Sequence, residues 1–238
     1  SGGYAERALV APTAAFEVPE GVSDAAALGL LVQGLTAWQL LRTSARMVPG
    51  ESVVVHAAAG GVGSLAIQLA KLWGAGRVIA VASSEEKRQL ALDLGADVAV
   101  DSDPAGLTAA LREANGGKRV DIILEMVGGA TTDASLRALG AFGRLVVYGM
   151  ASRTPATPIA PSSLMTGSLS VTGFWLIDCM KVDPIGMVAQ PLAELVRLVD
   201  AGEIRPLPGT AYALDQARQA HEDMRALQFP GGAIHSLL

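Results

Sequence analysis

The residues with the clearest chemical meaning stand together in SVVVHAAAGGVG, residues 52–63, where Gly60, Gly61 and Gly63 follow the β-branched run Val53, Val54 and Val55. A turn without Cβ atoms lets phosphate oxygens approach the backbone. A helix that begins at such a turn adds unpaired N–H groups and the positive end of its dipole. The next residues, SLAIQLAKLWG, supply that helix, with Leu65, Ile67, Leu69 and Leu72 as apolar positions. Strand, glycine turn and helix, in this order, is the context in which spaced glycines point to a dinucleotide phosphate. The residues that would carry it are Ala59, Gly60, Gly61, Val62 and Gly63. The plainer alternative is a tight structural turn.

An acidic residue about 20 positions beyond the last glycine holds the ribose 2′-hydroxyl of NAD, and its absence favours NADP. Here that position is Ser83, followed by Ser84, Glu85, Glu86, Lys87 and Arg88. Two hydroxyls at a strand end and cations one turn into the next helix suit a 2′-phosphate through charge-assisted hydrogen bonds. Ser83, Ser84 and Lys87 are therefore assigned to NADPH. The alternatives are that Lys87 and Arg88 cover a solvated helix face, or that Glu85 reaches back to an NAD ribose.

These residues must be positioned by a regular framework, and the sequence supplies one. Predicted strands at 52–56, 77–82, 98–100, 120–125 and 143–148 alternate with predicted helices at 62–73, 85–94, 104–114 and 131–138, and 169–174 reads as a further strand. Such alternation means a parallel sheet with crossover helices, an α/β doubly wound fold. The strands are almost continuously apolar, as expected where both sheet faces are covered. Residues 153–168, with Pro155, Pro158 and Pro161, read as a loop. Flanking this region, 1–20 read as extended pieces, Ser23 as an N-cap, and a helix is predicted over about 36–46. Beyond it follow a helix at about 185–200, a strand near 205–213, a helix from Asp215 to about Ala226 and a strand at 232–238.

Composition narrows the class. Half of the 238 residues are hydrophobic and 17% are charged, so much of the chain lies inside a core. The net charge of −5, without a basic cluster, excludes nucleic acid and anionic membrane as expected partners. No apolar run reaches the roughly 18 residues of a membrane helix. One cysteine, Cys179, excludes an internal disulfide and suits a reducing cytoplasm. His56, at the end of a predicted strand, reads as a packed or turn-bonding histidine, and His221 and His235 have no partner at metal-ligand spacing, so no metal is expected. The chain opens directly at SGGYAERALV, which predicts that it begins within a domain whose first part lies upstream.

Several segments together resemble the medium-chain dehydrogenase/reductase superfamily, in its zinc-independent quinone oxidoreductase and enoyl reductase branch. They are GGYAE (2–6), GLTAW (34–38), PGESVVVHAAAGGVG (49–63), ASSEEK (82–87), LGAD (94–97), VGG (127–129), GRLVVYGMAS (143–152) and TGFWL (172–176). The resemblance implies a Rossmann NADP-binding domain over 37–174. It also implies a partial GroES-like, β-rich catalytic domain made of 1–36 and 175–238.

It further implies that Thr36 lies near the nicotinamide, that Val127, Gly149, Met150 and Ser152 line its slot, and that Phe174, Trp175 and Leu176 help hold the nicotinamide end of the cofactor and shape the substrate pocket. The alternative for Phe174 and Trp175 is ordinary interdomain core. Leu31, Val32 and Gln33 stand where a zinc-dependent relative has a cysteine ligand. Two departures are Ser102, in place of a family tyrosine near the adenine ribose phosphate, and Gly232–Ala233, in place of a Gly–Lys pair. The implied activity is NADPH-dependent hydride transfer to an α,β-unsaturated carbonyl, a quinone or an enone, by a homodimer joined through 168–174. Alternatives are a 2-enoyl thioester reductase, one domain of a larger synthase, or a catalytically silent NADPH-binding relative.

Overall fold

The computed structural model describes residues 4–5, 7–10, 15–225 and 234–237. Its centre is a six-stranded parallel sheet of β1 (Ser52–His56), β2 (Arg77–Ala82), β3 (Val98–Asp101), β4 (Val120–Glu125), β5 (Leu139–Val147) and β6 (Ser170–Gly173). The strand order is 3-2-1-4-5-6, the doubly wound order of dinucleotide-binding folds. Strands β1 to β5 are linked by helices α3 (Gly61–Leu72), α4 (Glu85–Asp93), α5 (Pro104–Ala114) and α6 (Gly129–Ala138). Local chemistry sets the helix starts. Ser84 Oγ accepts the Lys87 N–H at 3.3 Å, and Asp103 Oδ1 accepts the Ala105 N–H at 3.1 Å, ahead of Pro104 in the first turn.

Alternation along the strands divides the core in two. Val53, Val55, Val78, Ile122, Leu124 and Val146 pack with the helices on one face. Val54, Ile79, Val81, Ile123 and Leu145 pack on the other against Leu107, Leu111, Ala134 and Ala138 of α5 and α6. Successive side chains on a strand point to opposite faces, so an unbroken apolar run is what a sheet covered on both sides requires.

The first face also receives a helical run. It begins as α1 (Asp24–Gly29), with Ser23 Oγ capping the Ala26 N–H at 3.3 Å, and continues as α2 (Leu35–Gln39). Wider turns over Leu30–Gly34 and Leu40–Ser44 extend it to residue 44. The sequence predicts a separate helix over 36–46, whereas the structure joins these pieces. Leu30, Leu35 and Leu40, five residues apart, would drift to different faces of a regular α-helix. The extra residue in each wide turn keeps all three fully buried.

Segment 176–204 packs on the same face. Helix α7 (Leu176–Val182), which the sequence reading misses, is followed by a wide turn over Ile185–Ala189 and by α8 (Gln190–Asp200). Leu192, Leu195 and Leu198 of α8 enter the core that holds Leu30 and Leu35. Trp38 Nε1 donates to Glu194 at 2.9 Å, and Gln39 Nε2 donates to the Met187 carbonyl at 2.7 Å.

At the chain ends, none of the described residues between 4 and 19 lies in a strand, so the segment expected as extended pieces forms no ladder there. Tyr4 instead meets His221 of α9 (Ala217–Arg225) edge-on, with ring centroids 5.7 Å apart. The strand expected over 205–213 is only β7 (Thr210–Tyr212), parallel to β8 (Ile234–Leu237). Pro206 and Pro208 carry no backbone N–H and stop the ladder from extending toward 205. Gly232–Ala233 lies outside the described residues.

Candidate dinucleotide site

At the C-terminal end of β1 the chain turns sharply. Ala57 takes up a left-handed conformation (φ 48°), and its carbonyl accepts the Gly60 N–H at 2.8 Å. Helix α3 then starts with no side chain capping its first turn, so that turn presents N–H groups of the kind that bind phosphate. A Cβ on Gly63 would lie 2.4 Å from the Ala57 oxygen and 2.9 Å from Ala58 Cα. Only glycine lets strand and helix pack this closely. The close packing matches the role of the third glycine in dinucleotide fingerprints.

This turn is one wall of a cavity of about 560 Å³ across the C-terminal ends of the strands, within the usual range for small-molecule sites. Eight of the residues expected from sequence line it: Ala59, Gly60, Gly61, Val62, Gly63, Ser83, Lys87 and Val127. Ser84 does not, because its hydroxyl caps α4. Thr36 is buried in α2, and Trp175, 67% exposed, stands outside the wall. Phe174 and Leu176 pack against the core instead. In the loop after β5, the Ala151 and Ser152 N–H groups donate to the Met126 and Val127 carbonyls, each at 2.9 Å. That loop presents Ala151 to the cavity rather than Gly149, Met150 or Ser152.

Other lining residues are not among those the sequence assigns to the cofactor. Gln33, His56, Ser102, Met126, Thr131, Tyr148 and Met224 arrive from separate elements. Ser102 was open to inference: it follows β3 as Ser83 follows β2, and Ala82 and Asp101, the residues before them, are ladder partners. Met224 belongs to α9, and nothing local predicts its approach.

At the corner where β2 and β3 end, Lys87 and Arg88 diverge. Lys87 lines the cavity, while Arg88 bonds Asp101 at 2.6 Å, Glu85 at 2.9 Å and the Ala82 carbonyl at 3.1 Å. By position in the sequence both cations could meet a phosphate; of the two, the structure places only Lys87 on the cavity wall.

A buried polar group underlies the opposite wall. Glu125, wholly buried at the end of β4, accepts the Val127 N–H at 2.6 Å, the Gly128 N–H at 3.1 Å and the Thr132 hydroxyl at 2.6 Å. Burial, aided by the nearby Glu125 charge, pushes the Tyr148 phenol well above its usual pKa. His56, also wholly buried, shares a 2.9 Å hydrogen bond between Nε2 and Ser135 Oγ, and its Nδ1 has no partner among the described residues. Desolvation lowers its pKa to about 4, so the imidazole is neutral at physiological pH. Among the described residues, no three His, Cys, Asp or Glu side chains converge as metal ligands.

The Cβ-excluding turn, the uncapped helix start and the corner formed by Ser83, Ser102 and Lys87 fit a phosphate-bearing dinucleotide. Comparison with known proteins agrees with this geometry. Residues 61–194 match the family model described as zinc-binding dehydrogenase. Quinone oxidoreductase from Rattus norvegicus is 33% identical over 225 residues, covering 94% of this chain. The chain spans 66% of that relative's length. Among solved structures, the quinone oxidoreductase of Thermus thermophilus, studied alone and with NADPH, superposes with a TM-score of 0.81 at 37% identity, over 95% of this chain and 70% of that one. The CurK enoyl reductase has a TM-score of 0.77 at 27% identity, over 90% of this chain and 62% of that one. With its sheet order, its glycine turn and these relatives in agreement, the chain belongs to the zinc-binding dehydrogenase family, in the quinone oxidoreductase branch of the medium-chain dehydrogenase/reductase superfamily.

Proposed function

We propose that this chain binds NADPH and works in a zinc-independent reductase of α,β-unsaturated carbonyl compounds, with a quinone or an enone as substrate. The observation that carries the cofactor is the cavity running from the α3 N-terminus to Ser83, Lys87 and Ser102. When bound, the dihydronicotinamide supplies the hydride. The chain's own residues bind, orient and exclude water. The first turn of α3 receives the pyrophosphate, Lys87 and the two serines receive the 2′-phosphate, and Met126 and Val127 at the end of β4 form the wall toward the reacting end. Gln33, half-buried on the cavity wall, fills the segment where a zinc-dependent relative would present a thiolate. An amide side chain is a poor zinc ligand.

The quinone oxidoreductases of rat and Thermus support a quinone substrate. The likeness to an enoyl reductase supports the second reading, a 2-enoyl thioester. NADPH consumption would be followed with 1,4-benzoquinone, an enone and a 2-enoyl thioester in parallel. Turnover of the quinone or enone supports the first reading, and turnover of the thioester alone supports the second. Tight NADPH binding with no turnover would assign a silent relative, and failure to bind NADPH would remove the proposal. Metal analysis of the active protein checks the zinc assignment.

The proposed assembly is a homodimer. Among the described residues strand β6 pairs only with β5, so its outer edge can add to the same edge of a second copy across a two-fold axis. Light scattering that finds a monomer at micromolar concentration would remove that part. A cytoplasmic setting is proposed from the single cysteine, Cys179, which is free and buried. Among the described residues no helix is long and apolar enough to cross a membrane.

A further inference from the structure

The corner proposed for the 2′-phosphate is crowded with acid. Glu85, Glu86, Asp101 and Asp103 stand within one turn of the ends of β2 and β3, against two cations, Lys87 and Arg88. Asp103 is occupied in capping α5, and the second oxygen of Asp101 accepts the Asp103 N–H at 2.9 Å. A phosphate dianion entering beside these carboxylates would be repelled unless they were neutralised.

Arg88 is placed to neutralise them. Its Nη1 donates to Asp101 at 2.6 Å and to the Ala82 carbonyl at 3.1 Å, and its Nη2 donates to Glu85 at 2.9 Å. Ala82 and Asp101 face one another in the β2–β3 ladder. The next residue on each strand, Ser83 and Ser102, lines the cavity with Lys87. One guanidinium therefore clasps the two strand ends that carry both serines and masks the two acids it pairs with, Asp101 and Glu85. Its planar fork can make these contacts together, whereas a lysine ammonium lacks that geometry.

We propose that Arg88 sets the preference for a 2′-phosphorylated dinucleotide without touching it, by masking Asp101 and Glu85 beside the corner formed by Ser83, Lys87 and Ser102. Arg88 is thus a positioning and charge-masking residue, and Lys87 is the cation left to meet the phosphate. This inference rests on the NADPH reading above.

The test measures binding of NADPH and NADH by fluorescence titration of the whole chain, for wild type, Arg88→Leu, Asp101→Asn and the double variant. Titrations run at about 0.01 M and about 1 M ionic strength, where screening lengths are roughly 30 Å and 3 Å. Arg88→Leu is expected to lower the NADPH-to-NADH affinity ratio roughly threefold to tenfold at low salt, with most of the shift gone at high salt. Asp101→Asn is expected to raise the ratio on its own and to restore it in the Arg88→Leu background. A merely structural role for Arg88 would lower both affinities together, independent of salt and without rescue, and that result overturns the inference. A wild-type preference for NADPH that survives Arg88→Leu overturns it alone. A wild-type ratio near one overturns the NADPH reading, and the inference with it.

Discussion

The carbonyl oxygen of Ala57 occupies the space into which a side chain on Gly63 would grow, 2.4 Å from the ideal Cβ position. That oxygen is fixed, because it also accepts the Gly60 N–H. Gly63→Ala must therefore push the α3 N-terminus away from the turn. The expected cost is about 1–3 kcal/mol of stability, with NADPH affinity lowered at least about tenfold as the phosphate donors lose their alignment. Urea unfolding and cofactor titration of the same sample check both. Unchanged binding would show that the turn does not hold the phosphate.

Lys87 is the cation on the cavity wall beside Ser83 and Ser102. Lys87→Met keeps most of the length of the side chain and removes its charge. A charge-assisted hydrogen bond is worth about 1.5–3 kcal/mol, so NADPH affinity is expected to fall about tenfold or more while NADH affinity stays within about twofold. Parallel titrations with the two cofactors decide this, and an equal loss for both would contradict the assignment.

Burial holds the His56 pKa near 4, against 6.5 for a free imidazole. Between those values the unfolded chain carries the extra proton, so protonation favours unfolding. The contribution of His56 to stability is complete above about pH 6.5 and is lost as pH falls toward 4, by on the order of 3 kcal/mol in all. Chemical unfolding at pH 7, 5.5 and 4.5 should show the decline, and His56→Gln should flatten it. An unchanged slope in the variant would place the titrating group elsewhere.

Glu125 ties the end of β4 to the start of α6 by accepting the Val127 and Gly128 N–H groups and the Thr132 hydroxyl. Glu125→Ala leaves buried donors without acceptors, at about 1–3 kcal/mol for each group. Thermal unfolding should fall by several degrees, with NADPH binding weakened because Val127 moves with the loop. Glu125→Gln keeps acceptor capacity and should recover part of the loss, which a purely electrostatic role would not allow.

The sheet and the phosphate turn were legible because both rest on local rules. β1, β2 and β4 fall on the expected residues 52–56, 77–82 and 120–125, since runs such as Val53–Val55 and Ile122–Leu124 can lie only between two covered faces. Helix α7 was not legible, because Leu176–Val182 has no capping side chain and only Cys179 fully buried. Nor were the wide turns at Leu30–Gly34 and Leu40–Ser44, where the five-residue leucine spacing makes sense only once the core is present.

The sequence by itself determined the strand–turn–helix unit, the alternation that makes the sheet parallel, and the glycines and serines at the strand ends. Each depends on neighbours within a few residues, through backbone sterics, capping or side-chain period. Only the tertiary structure decided the division of labour between Lys87 and Arg88, the arrival of Gln33 and Met224 at one cavity, and the burial that keeps His56 neutral. These depend on distances between residues far apart in the chain, and on a local dielectric that exists only once the two faces of the sheet are closed.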